Sequence, residues 1–170
     1  MKSKIQIDMD EQIIEFVKSK TDNQEFNFED TVYKIVENVL SEQNIFAEIV
    51  DVSIQSASVE EIRKINHQYR NIDRATDVLS FPIFTKDELR NIDVNMKEVE
   101  LGDIILCLEV VEKQSIEYHT GILREILYMI THGLCHLTGH DHETDEEKKE
   151  MRALEEKVLS KVGVGRVNEE

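Results

Sequence analysis

The chain has one proline, six glycines, two cysteines and no tryptophan among its 170 residues. So little proline and glycine excludes collagen-like, mucin-like and long-linker architectures. Two cysteines, Cys107 and Cys135, are too few for a disulfide framework. Basic charge is scarce as well: 20 Lys+Arg stand against 36 Asp+Glu, a formal net charge of −16. That balance excludes a histone-like nucleic-acid coat and a polybasic membrane anchor, but not an enzyme with one local cationic site. No apolar run approaches the roughly 20 residues of a membrane span, and the opening MKSKIQIDMDEQ has no apolar signal core. A 40% hydrophobic fraction is enough for a proper core. The expectation is a soluble, reduced, cytoplasmic protein, a single domain over residues 1–170 with no membrane partner.

The acidity is uneven. Residues 1–60 sum to −8, residues 91–140 to −5 and residues 141–170 to −4, whereas residues 61–90 sum to +1. Arg63, Lys64, Arg70, Arg74, Lys86 and Arg90 are all in that one stretch. It reads either as an ordinary solvated helix face or as a landing site for an anionic substrate.

Periodicity divides the chain into alternating elements. Lys4–Asp8 and Ala47–Ile54 alternate as strands, and Asp77–Phe81, stopped by Pro82, and Leu101–Leu108 are further strands. Phe28–Leu40 carries Val32, Ile35, Val36, Val39 and Leu40 at helical spacing. Ser58-x-x-Glu61 is a capping box that opens a helix running to about Tyr69. A long helix or a broken pair is expected over 109–138, and an amphipathic helix over 144–161, with Met151, Leu154, Val158 and Leu159 as core cover. Residues 9–25 show an amphipathic turn at Ile13, Ile14, Phe16 and Val17 without a clear place, and 84–100 reads as a charged loop or hairpin. Strands mixed with helices in a short chain give an α/β or α+β fold on a small sheet.

Four of the six histidines fall in one run, His132-Gly-Leu-Cys-His136-Leu-Thr-Gly-His140-Asp-His142. His132 and His136 are one helical turn apart, so both imidazoles reach one ion from the same face. At 100° per residue from Ile122, the apolar residues up to Leu137 span about 0° to 140°, while the two histidines fall near 280° and 320°. They are therefore off the core stripe. Gly139 offers a helix-ending positive-φ position that turns the chain and brings His142 back. Three imidazoles with an open position are the pattern of a catalytic zinc site. The spacing resembles the HExxHxxGxxH run of metzincin peptidases except at position 133, where Gly replaces the Glu that activates water. Peptide hydrolysis by that route lacks its base. Cys135 reads as a small half-buried filler, and Asp141 as a helix cap, a holder of an imidazole or a general base.

The histidine run resembles the HGxLHLxGxDH signature of the YbeY endoribonucleases, bacterial rRNA maturation factors. Asn66-His-Gln-Tyr69-Arg70-Asn-Ile-Asp73-Arg-Ala-Thr76-Asp77-Val78-Leu79-Ser80-Phe81-Pro82 is similar to that family's N-x-x-Y/W-R-x-x-D-x-x-T-D-V-L-S-F run, and Leu101-Gly102-Asp103-Ile104 to its LGDI strand. The likeness covers about residues 45–160, with His140 standing where an aromatic is common. It implies a compact α+β domain with a small mixed sheet and a zincin-like metal helix beneath a cleft. It implies a zinc-dependent, single-strand-specific endoribonuclease acting in 16S rRNA 3′-end maturation and ribosome quality control. One Zn²⁺ per chain would be held by His132, His136 and His142, with Arg70 catalytic. By itself, Arg70 reads as a surface charge compensating a helix C-terminus; the family motif gives it the catalytic role. The implied partners are single-stranded RNA and the ribosome or its small-subunit proteins, with no DNA. Ser80 and Phe81 are placed beside substrate by analogy with zincins, or in ordinary sheet packing, and Asp77 at the strand entry. Two other readings stay open: a ribosome-associated assembly factor with a structural zinc, and a metallohydrolase of another ester or amide. With so little positive charge, counterion release cannot supply much affinity, and RNA contact is expected to concentrate on residues 63–90 and the metal.

Overall fold

The computed structural model describes residues 2–22, 25–92 and 97–164. Four strands form one sheet in the order β1-β2-β4-β3. β1 (Lys4–Met9), β2 (Ile49–Ser56) and β4 (Glu98–Leu106) run parallel, and β3 (Val78–Pro82) pairs antiparallel with β4 at one edge. The expected mixed sheet is present. The helices are α1 (Glu11–Lys20), α2 (Phe28–Glu42), α3 (Val59–Arg70), α4 (Lys86–Arg90), α5 (Leu108–Glu117), α6 (Ile122–Leu137) and α7 (Asp145–Lys161).

Local chemistry sets most of these boundaries. Ser58 and Glu61 exchange both capping-box hydrogen bonds at the start of α3, and Thr144 with Glu147 does the same for α7. The span over 109–138 is a broken pair: α5 ends at Glu117 with Tyr118 as its C-cap, His119 adopts φ 56°, and α6 starts after Gly121. Residues 9–25, unplaced by periodicity, contain α1, which is capped by the Asp10 side chain and buries Ile13 and Val17. The charged stretch 84–100 holds the short helix α4 and the start of β4; residues 93–96 of it, like 23 and 24 of the earlier stretch, lie outside the described residues. β4 begins earlier than its apolar run because Glu98 and Glu100 point outward between buried Val99 and Leu101. It ends at Leu106 because Cys107 becomes the residue preceding α5.

β4 carries a bulge. Asp51 pairs with Glu100 but Ser53 pairs with Asp103, so one extra residue enters β4 around Gly102. Gly102 sits at φ +135°, and a Cβ there would lie 2.2 Å from the Phe81 carbonyl oxygen. The bulge leaves Leu101, Ile104 and Leu106 all buried on the face that receives α6.

That face holds the main core, with α6 touching α1, α2, α5, α7, β3 and β4. On the opposite face, Ile62 of α3 packs with Leu79 and Cys107 beside the partly buried Ile105 and Phe81. Strand alternation thus separates two neighbourhoods across β3: Leu79 and Phe81 face α3, while Val78 and Ser80 face the α6 side. Among the described residues, the outer edge of β3 has no strand partner in the sheet. The end of α3 and the middle of α6 therefore approach that edge from opposite faces. Replacing Gly102 with Ala is expected to cost about 2–4 kcal/mol of stability from backbone strain and the collision with Phe81. Urea unfolding measures it, and a loss below about 0.5 kcal/mol, the range of a neutral surface change, contradicts the assignment.

Candidate active site

Helix α6 presents His132 and His136 on successive turns, with ring centroids 4.8 Å apart. Thr138 ends the helix, Gly139 turns the chain at φ +95°, and His142 returns over the pair at 5.7 Å from His132 and 5.0 Å from His136. One donor atom from each ring lies within 4.8 Å of the others, the spacing of side chains able to share one metal ion. Gly139 is required twice over, since a Cβ there would come within 2.4 Å of the Lys86 Cβ at the start of α4. The returning loop is thereby seated against α4.

His140 is not part of the cluster. Its Nε2 is 2.8 Å from Gln43 Oε1, and the Gln43 amide donates to Thr138 Oγ1 at 2.8 Å and to the Val39 carbonyl at 3.2 Å. His140 thus ties the loop to α2 and leaves His142 as the returning imidazole. Asp141 accepts the His142 backbone N–H at 2.8 Å and caps no helix, since Thr138 ends α6 and Thr144 caps α7. Cys135 is buried, and burial pushes its thiol far above the ordinary value, which makes it a neutral filler. Gly133 faces β4, where a Cβ would meet the Ile104 side chain at 3.0 Å. The position that carries the peptidase glutamate is here used to pack helix on sheet.

Beneath the cluster lies a residue that sequence reading missed. Glu155 of α7 is 3% exposed; its Oε2 is 2.7 Å from His132 Nδ1, and its Oε1 accepts from the Tyr128 hydroxyl at 3.1 Å. The carboxylate fixes the ring and leaves Nε2 as the free nitrogen of His132, the arrangement by which outer carboxylates orient metal-binding imidazoles. A signal was available. Met151, Glu155 and Val158 share one buried stripe of α7, and an acid in such a stripe calls for a buried partner. Next to this pair, His136 is pushed down to about 4, first by desolvation and then by His132 and His142. It is neutral at pH 7, as a metal ligand must be.

Arg70, the last residue of α3, is exposed and lines the same cleft as His132, His136 and His142, a space of about 1010 Å³. Its loop is pinned from behind. Asn71 closes α3 in the left-handed region at φ 59°, and Arg63 grips Asp73 through two hydrogen bonds at 2.8 and 3.2 Å. The buried Asn66 amide donates to the Arg74 carbonyl at 2.8 Å. Asp77 accepts from the Val78 N–H at 2.8 Å and from Thr76 Oγ1 at 3.2 Å, which makes it the cap of the strand entry. Ser80 and Phe81 both line the cleft from β3.

An α+β fold whose core helix carries a metal-competent histidine triad, open to a cleft with an arginine on its wall, defines the class of metal-assisted hydrolases. Comparison with known proteins narrows this. The profile of the family Endoribonuclease YbeY matches residues 13–163. The chain is 42% identical over 145 residues to the endoribonuclease YbeY of Thermoanaerobacter sp. strain X514, covering 82% of this chain and 91% of that protein. It is 45% identical over 116 residues to that of Clostridioides difficile strain 630, covering 68% and 74%. A solution structure of TM1509 from Thermotoga maritima shares the fold at a TM-score of 0.53 and 24% identity, covering 92% of this chain and 90% of that one. The chain belongs to the YbeY family of endoribonucleases. No helix among the described residues is long and apolar enough to cross a membrane.

The depressed His136 value sets a pH dependence for the metal-free protein. Between 6.5, its ordinary value, and about 4, the unfolded chain takes up a proton that the folded chain refuses. This contribution is whole above pH 6.5 and is lost as pH falls toward 4. The chelator-treated protein should therefore show a falling unfolding midpoint through that window, with a smaller fall in His136→Asn. Parallel curves for parent and variant would remove His136 as the source.

Proposed function

We propose that the chain is a single-strand-specific endoribonuclease that holds one Zn²⁺ through His132, His136 and His142 and uses Arg70 as a catalytic residue. Its proposed setting is the cytoplasm, in 16S rRNA 3′-end maturation and ribosome quality control, with the small subunit or its proteins as partners. The observation that carries the reading is that the histidine triad and Arg70 line one cleft, together with residues of the edge strand β3. The residues suit zinc: three imidazole donors gathered within 4.8 Å of one another, with one ring fixed by a buried carboxylate and another kept neutral by burial. A bound Zn²⁺ supplies Lewis acidity toward a phosphoryl oxygen and lowers the pKa of water.

The protein's own groups do the rest. Arg70 offers a planar fork for two phosphate oxygens and neutralises charge that builds on phosphorus in the transition state. Asp73, through Arg63, and Asn66, through the Arg74 carbonyl, hold the loop behind that fork. Glu155 holds the His132 ring, and the Gln43–His140 pair holds the returning loop that carries His142. Gly133 packed on Ile104 argues against a peptidase, since no carboxylate is available there to activate water.

Purified protein is expected to cleave a labelled single-stranded rRNA fragment and to lose the activity with chelator. His136→Ala should abolish it, which excludes a contaminating nuclease, and Arg70→Glu should lower it by at least about 10²-fold. Retained cleavage in Arg70→Glu would sink the catalytic role of Arg70. A protein whose unfolding midpoint collapses on chelation, yet which never cleaves, would be an assembly factor with a structural metal. In Glu155→Gln, zinc affinity measured against a competing chelator should fall about 10- to 100-fold. Unchanged affinity would reduce Glu155 to a packing residue.

A further inference from the structure

The wall of the cleft next to Arg70 is aromatic. Tyr69 is 65% exposed and Ile83 52%, and both line the cleft along with Phe81. The Tyr69 and Phe81 rings form a T-shaped pair, with centroids 5.3 Å apart and planes at 67°. Phe81 is presented by β3 and is itself partly buried against the small cluster under α3, so it is a fixed support for the tyrosine. At 65% exposure, and with this T-shaped contact as its ring partner, the tyrosine keeps ring surface toward solvent. It also immediately precedes the arginine placed on phosphate.

Charge makes this wall consequential. The cations lining the cleft are Arg70 and Lys86, and they share it with Asp77 and Asp141 in a molecule of net charge −16. An RNA site that cannot draw on a lysine field has to take affinity from contacts that do not depend on charge. Base–aromatic stacking is such a contact, worth about 1–3 kcal/mol per base, and every unpaired base has a face to offer. A base locked in a duplex offers none without unstacking.

We propose that Tyr69, backed by Phe81, is a stacking platform for one unpaired nucleobase of the RNA whose neighbouring phosphate Arg70 holds. The platform makes the cleft select single strands. This rests on the endoribonuclease reading above. Tyr69 is then a specificity residue, and it contributes binding that is equal in the ground and transition states. Its loss should appear in KM and leave kcat nearly unchanged.

The test uses the full chain in a His136→Ala background, which should not cut, and a short fluorescein-labelled single-stranded RNA, with each affinity compared with that of this background. Adding Tyr69→Ala should weaken binding on the order of 10- to 100-fold, and Tyr69→Phe should restore it to within about twofold. The slope of log affinity against log salt should stay the same, because no phosphate contact is lost. An oligomer with abasic positions should bind the parent weakly and lose little more in Tyr69→Ala. In the cleaving protein, Tyr69→Ala should raise KM and leave kcat within about twofold. Because Tyr69 is largely exposed, the unfolding midpoint should not move, which excludes misfolding. Binding and KM equal to the parent's, in a parent that does cleave RNA, overturn the platform and leave the endoribonuclease reading standing. Loss of ribosomal-subunit binding with RNA binding intact would make the wall a protein-docking surface and overturn it too. A parent that neither binds nor cleaves single-stranded RNA fails both readings together.

Discussion

Everything at the site depends on how closely α6 lies on the sheet. One side of this helix is dry: Ile126, Ile130, Leu134 and Leu137 are fully buried, and Gly133 lets the backbone approach Ile104 of β4. The other side carries His132 and His136 toward the cleft. A larger residue at 133 would lift the helix or push Ile104 aside, and the histidines would move with it. The bulge at Gly102 belongs to the same constraint, because it brings Leu101, Ile104 and Leu106 onto the face that α6 covers. Close packing of this kind transmits small displacements, so the precision of the histidine cluster is a property of the core.

The second requirement is that polar groups around a dry helix be matched. Glu155 is a carboxylate in the interior, and it is tolerable there because both oxygens have partners, the His132 ring and the Tyr128 hydroxyl. Removing either would leave a buried acid unsatisfied. Gln43 is used in the same way on the other flank, with its carbonyl facing His140 and its amide donating to Thr138 and Val39. The triad is thus braced from α7 below and α2 beside. Positive charge at the cleft is sparse: Arg70 and Lys86 line it, while Arg63 is paired with Asp73.

Much of this was legible in the chain itself. The i, i+4 histidines, the Gly139 break and the return of His142 follow from helical geometry and from the one residue type that accepts positive φ without cost. The Ser58–Glu61 cap marked the start of α3, and the apolar stripe of α6 marked which side would be buried. Other parts were hidden by local chemistry that mimics something else. Glu98 and Glu100 made a strand look like a charged loop, and polar flanks hid α1. Cys107 looked like strand but stands at the junction with α5.

What the sequence determined alone is therefore local: which residues share a helix face, where backbones turn, and which side chains have the chemistry of ligands. These depend on neighbours within a turn or two, and periodicity records them directly. Only the tertiary structure decided which distant groups meet. Glu155 reaches His132 across 23 residues and His140 reaches Gln43 across 97, and Arg70 enters the histidine cleft because α3 and α6 approach the free edge of β3 from opposite faces. An amphipathic pattern states that a face will be covered. It does not state by what, because that is settled by the packing of whole elements and by the pairing of each buried polar atom.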